Sequence, residues 1–155
     1  MLIFLDIDGV MVPSASWKPS QILEDGFAAF SQKAIDALNK LISDKAKIIL
    51  TTSHKSRFTI DEWKKIFKTR GIEVEKMECL EANADFALKR KEEILRWFNT
   101  HSSYGDFIII DDDKSLNGLP PHLKARLILT SPLIGLTNEH LTEVRTMLGP
   151  SPHLA

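Results

Sequence analysis

The chain has 155 residues, 43% of them hydrophobic and 26% charged, with a formal net charge of −1 and one cysteine, Cys79. A single domain over residues 1–155 is expected, long enough to bury about two-thirds of its unfolded surface, and its near-neutral charge excludes whole-molecule attraction to nucleic acid or acidic membranes. One cysteine excludes an internal disulfide and suits a reducing compartment, and no apolar run nears the roughly 20 residues that cross a membrane.

Asp6 and Asp8 also interrupt the first apolar stretch, so it does not read as a leader, and a cytoplasmic location without membrane partners is expected. Residues 2–5, LIFL, form a short apolar run of the kind found in strands buried on both faces. Residues 10–30 hold Pro13, Pro19, Gly26 and several serines and read as a long loop or flap. Ala34, Ile35, Leu38, Leu41 and Ile42 then recur at helical spacing. KIIL (47–50) is a second buried strand. Thr59 and Glu62 have the spacing of a capping box, opening a helix with Trp63, Ile66 and Phe67 on one face and ending at Gly71. A weaker strand is expected over 73–77, EVEKM, and a helix over 86–98 with Leu88, Ile94, Leu95 and Phe98 inward. FIII (107–110) is the strongest strand, RLIL (126–129) a fifth, and 138–148 a final helix before the SPHLA tail. Alternating strands and helices predict an α/β fold: a Rossmann-like three-layer αβα sandwich with a central parallel sheet.

In such folds ligands bind beyond the carboxyl ends of the strands, so the residues just after each apolar run matter most. After LIFL come Asp6, Ile7, Asp8 and Gly9; after KIIL come Thr51, Thr52, Ser53, His54 and Lys55; after FIII come Asp111, Asp112, Asp113 and Lys114. Asp6 and Asp8 are two apart, so in extended backbone both carboxylates point the same way. Three adjacent aspartates repel one another unless a cation neutralises them, and hard oxygen ligands suit Mg2+. A solvated acidic turn capping the next helix is the competing reading. Thr52 offers a hydroxyl to an anionic oxygen, while His54, Lys55 and Arg57 make that segment cationic. Lys89, Arg90 and Lys91 open a helix upstream of the acidic strand, and a lysine there would neutralise both phosphate and carboxylates, a merely solvated helix surface being the competing reading. Carboxylates, Mg2+, a hydroxyl and a lysine together fit phosphoryl transfer.

FLDIDGV (4–10), IILTT (48–52), KRKEEI (89–94) and FIIIDDD (107–113) in this order resemble the four motifs of the haloacid dehalogenase-like (HAD) superfamily of phosphatases. The resemblance implies an Mg2+-dependent phosphomonoester hydrolase with Asp6 as the nucleophile that forms an aspartyl-phosphate and Asp8 as general acid and base. It implies Thr52 and Lys91 on the phosphoryl oxygens, with Ser53, His54 and Lys55 near the substrate. Asp6, Asp112 and the backbone of Asp8 would hold the metal, with Asp111 or Asp113 supporting it. Only residues 10–30 are available as a cap, which makes this resemble a capless or minimal-cap member. Its open site suits a macromolecular phosphate ester or a second subunit that covers it. DIDGV, TSHK and LTSPLIGLT further resemble the small HAD domains of RNA-repair proteins, so the expected partner is a phosphorylated small molecule or a phosphorylated nucleic-acid end. Trp17, Phe27 and Phe30 in the flap are candidates for stacking on a base or ring, with packing on the core the equal alternative. A receiver-like phosphorylated module and a Mg2+-dependent nuclease are the competing classes; the former usually places its acidic pair before the acceptor aspartate, and the latter has no need of Thr52 or Lys91.

Overall fold

The computed structural model describes residues 1–14, 20–42, 45–80 and 89–148. Five strands, β1 (Leu2–Leu5), β2 (Lys47–Leu50), β3 (Lys76–Cys79), β4 (Phe107–Asp111) and β5 (Leu127–Leu129), form one sheet in the order β3-β2-β1-β4-β5. Every neighbouring pair is parallel. The helices are α1 (Gln32–Leu41), α2 (Ile60–Thr69), α3 (Arg90–Thr100), α4 (Pro121–Lys124) and α5 (His140–Leu148), with 3₁₀ turns at Lys55–Arg57 and Lys114–Gly118.

Side chains alternate across each strand and so divide the core in two. Ile3, Leu5, Ile48, Leu50, Ile108 and Ile110 pack with α1, α2 and α5, while Phe4, Ile49 and Ile109 pack with α3, α4 and the second 3₁₀ turn. That is the expected three-layer sandwich. Ser31 caps α1 by accepting the Ala34 N–H, and Thr59 and Glu62 form the capping box at the start of α2. Each fully buried Trp63, Phe67 or Phe4 side chain contributes roughly 2–3 kcal/mol through burial.

The third strand begins at Lys76 rather than residue 73: Val74 is buried but precedes the ladder, whose first pair is Lys47–Lys76. The helix expected from residue 86 is seen from Arg90, with Lys89 as its N-cap; residues 86–88, like Trp17 and the SPHLA tail, lie outside the described residues.

The 20–30 segment is fastened to the core. Ile22 and Ala28 form an antiparallel bridge, and Phe27 and Phe30 are buried. Arg70, at the end of α2, donates to both carboxylate oxygens of Asp25 at 2.6 and 3.1 Å and to the carbonyls of Phe27, Ala28 and Ile66. These hydrogen bonds from Arg70 hold the Asp25 carboxyl below the usual carboxylate range.

Candidate active site

Leu5 stands level with Leu50 on one side and Ile110 on the other. One residue further along, the same register sets Asp6 between Thr51 and Asp111, all three on the α3 side of the sheet. The Asp6 N–H donates to the Ile110 carbonyl at 3.1 Å and the Thr51 N–H to the Leu5 carbonyl at 3.0 Å. All three residues are buried, with Asp6 only 2% exposed. Asp112 completes the cluster: Asp6, Asp111 and Asp112 each offer an oxygen, and these lie within 4.8 Å of one another. Gly9 makes room for this. It turns with φ +79°, and a Cβ there would overlap the Asp112 carboxylate.

Arg90, the first residue of α3, answers this charge. Its Nη1 lies 3.0 Å from Asp6 Oδ2 and donates to both oxygens of Asp111 at 3.0 and 3.2 Å. Burial and the charge of Asp111 nevertheless push the Asp6 carboxyl up to about 8. Burial raises Asp111 as well, against the pull of Arg90. Burial opposes the charge on Arg90, but Asp111 and Asp6 outweigh it and leave the guanidinium firmly ionised. The neighbouring Asp112 carboxyl raises Asp6 further. Three carboxyl oxygens this close together, two of them on one guanidinium, are a donor set that a divalent cation would satisfy.

The other half of the site is open. The Asp8 side chain is 53% exposed, and its Oδ2 lies 2.8 Å from His54 Nε2. Thr52 is buried and its Oγ1 accepts the His54 N–H at 3.2 Å, so it shapes the turn. Lys55 is paired with Glu93 of α3 at 3.2 Å, both side chains nearly buried, while Ser53 is exposed. The Arg57 guanidinium lies over the rings of Phe27 and Phe58 at 5.7 and 5.3 Å.

The family described as the HAD domain in Swiss Army Knife RNA repair proteins matches residues 2–141, which hold all five strands. The chain belongs to that family. No curated protein and no solved structure matches it. Membership in this HAD family supports a phosphatase-type or RNA-repair-related function, and the buried aspartates could bind a metal. Among the described residues no helix is long and apolar enough to cross a membrane.

Within this HAD domain the expected residues divide. Asp6, Asp111 and Asp112 meet, and Asp8 and His54 meet beside them. Asp113 turns away to cap the 3₁₀ turn by accepting the Ser115 N–H at 2.9 Å; although burial pushes it up, these Ser115 hydrogen bonds hold its carboxyl low. Lys91 lies against Gly118, where a Cβ would come within 3.0 Å of its Nζ. Arg90 reaches the aspartates instead, because only one of three consecutive basic residues on a helix can face the sheet. Phe27 is buried edge-on against Trp63 and His54 at 5.3 and 5.5 Å, and Phe30 packs on Phe67, so neither ring is open to a base. Residue type alone does not single out Thr51, since Thr52 beside it is equally suitable. Extending the strand alternation of KIIL by one residue finds it. Its Oγ1 is buried with no partner among the described residues.

Proposed function

We propose that this HAD domain is a Mg2+-dependent phosphomonoester hydrolase acting on phosphorylated nucleic-acid ends through an aspartyl-phosphate on Asp6. The observation that carries this reading is the buried Asp6 carboxyl flanked by the Thr51 hydroxyl, which has no partner among the described residues, the Arg90 guanidinium and Asp112. An Asp6 oxygen attacks phosphorus as the ester P–O bond breaks, and Asp8 gives its proton to the departing oxygen. Asp8 then takes a proton from water, the water oxygen bonds to phosphorus, and the bond to Asp6 breaks to release inorganic phosphate. We assign the phosphoryl oxygens to Thr51 and Arg90, with Thr52 maintaining the turn that presents them. Asp6, Asp112 and the backbone of Asp8 would hold Mg2+, with Asp111 supporting them; when bound, the ion neutralises negative charge on the phosphoryl group. The half-exposed Asp8 and the exposed cations Arg57, Lys89 and Lys114 on segments at this end of the sheet suit a long anionic strand better than an enclosed metabolite.

The test is phosphate release from 3′- and 5′-phosphorylated oligonucleotides and from small phosphate esters, with and without Mg2+. Mg2+-dependent release that disappears in a folded Asp6→Asn variant supports the reading, and undiminished release by that variant overturns it. Accumulation of phosphorylated protein without turnover would make it a receiver-like module instead.

A further inference from the structure

We infer that His54 is a positioning residue for Asp8, held in place by the 20–30 segment. This rests on the proposed role of Asp8 as general acid and adds what keeps that acid aimed. A half-exposed carboxyl is free to rotate, and proton transfer demands that it stay within hydrogen-bond reach of the departing oxygen. The His54 ring removes that freedom by contacting Asp8 Oδ2 at 2.8 Å. Arg57, which can only donate, faces the other ring nitrogen, Nδ1, at 3.5 Å. This assigns the ring proton to Nε2, so His54 donates to Asp8 Oδ2 and leaves Oδ1 to carry the proton that reaches the leaving group. When that P–O bond breaks, the Oδ1 proton moves to the departing oxygen and the His54 proton stays on its ring.

The ring itself is fixed from two directions. The His54 backbone N–H is bound to Thr52 Oγ1, and its ring meets that of Phe27 in a T-shaped contact with centroids 5.5 Å apart. Phe27 is immobilised in turn: its N–H donates to Asp25 Oδ1 at 3.0 Å and its carbonyl accepts from Arg70 Nη2 at 3.0 Å. The segment that fills the place of a cap therefore serves as a buttress, transmitting the Arg70–Asp25 clip through Phe27 and His54 to Asp8.

A leaving-group comparison separates this role from substrate binding and from simple structural support. Wild type, His54→Ala and His54→Gln are assayed with Mg2+ on 4-nitrophenyl phosphate, whose leaving group needs little protonation, and on a 3′-phosphorylated oligonucleotide, whose sugar alkoxide needs it fully. For His54→Ala, kcat/KM on the oligonucleotide, which reports phosphoryl transfer to Asp6 and not the shared hydrolysis of the aspartyl-phosphate, is expected to fall at least about tenfold more than on the nitrophenyl ester. His54→Gln, which keeps an N–H donor, recovers part of the difference. Equal losses of kcat/KM on both esters, or no loss on either, would overturn the inference, and His54→Gln decides it if His54→Ala does not fold. A 5′-phosphorylated oligonucleotide, with an alkoxide leaving group of the same kind, replaces the 3′ ester if wild type prefers it; release from no ester makes the proposed function itself fall, and with wild type active only the role of His54 is at stake.

Discussion

Asp6 and Asp8 are two residues apart on one strand end, yet one is 2% exposed and the other has a side chain 53% exposed. The difference comes from how far the neighbouring chains accompany β1. At Asp6 both flanking strands are still in register and wall the carboxyl in with Thr51, Asp111 and Arg90. By Asp8 the chain is already turning toward Gly9, and among the described residues His54 is the hydrogen-bond partner of its side chain. The buried half holds its charges by mutual compensation, whereas the open half holds its acid by one hydrogen bond. A nucleophile needs the first environment, and an acid that must meet both a leaving group and a water needs the second.

Breaking the buried half should have the largest effects. Asp6→Asn is expected to lower phosphate release by about a thousandfold or more, with an unchanged circular dichroism spectrum. Arg90→Met leaves Asp6 and Asp111 without their counter-charge; urea unfolding in metal-free buffer should show a loss of about 3 kcal/mol, the usual cost of removing one partner of a buried pair. Mg2+ at a hundred times its Kd should stabilise wild type by about 2.7 kcal/mol in thermal melts. Both Asp112→Asn and Gly9→Ala should abolish that gain, the second because its new Cβ displaces the Asp112 carboxylate. Equal Mg2+ stabilisation in these variants would remove the cluster from consideration as the metal site.

The smallest effect falls on the clip that underlies the open half. Arg70 depresses the Asp25 carboxyl, so the folded protein releases this proton more readily than the unfolded chain does. The stabilisation is full above the unfolded value of about 3.9 and is lost as pH falls through the lower folded value. Asp25→Asn should therefore cost about 1 kcal/mol at pH 7, allowing for a carboxylate that is 24% exposed, and should flatten the acid limb of stability below about pH 4. Urea midpoints at pH 7 and pH 3 measure both; an unchanged acid limb would show that Asp25 has no share in it.

The strands, their parallel arrangement and the meeting of Asp6 with the acidic cluster were legible in the sequence, because apolar runs ending in aspartate carry their own register. Three features were not. KRK at 89–91 cannot reveal which residue faces the sheet until the start of α3 sets the helical phase, which selects Arg90. Two adjacent threonines likewise differ only in which side of the sheet they continue. Phe27 and Phe30 sit in a proline- and serine-rich stretch whose rings could serve either a base or the core, and the residues that decide it, Trp63, Phe67 and Arg70, lie far along the chain.

β1 lies at the centre of the sheet, and both of its hydrogen-bonding neighbours come from far along the chain, from Lys47 onward and from Phe107 onward. Bringing them together costs chain entropy before burial can offset it, so folding depends on long-range encounters. Until both have docked, Asp6 has neither Thr51 nor Asp111 beside it. A chain whose helices have formed while these strands are undocked has no assembled aspartate cluster, so on refolding the return of turnover should lag behind the return of helical signal.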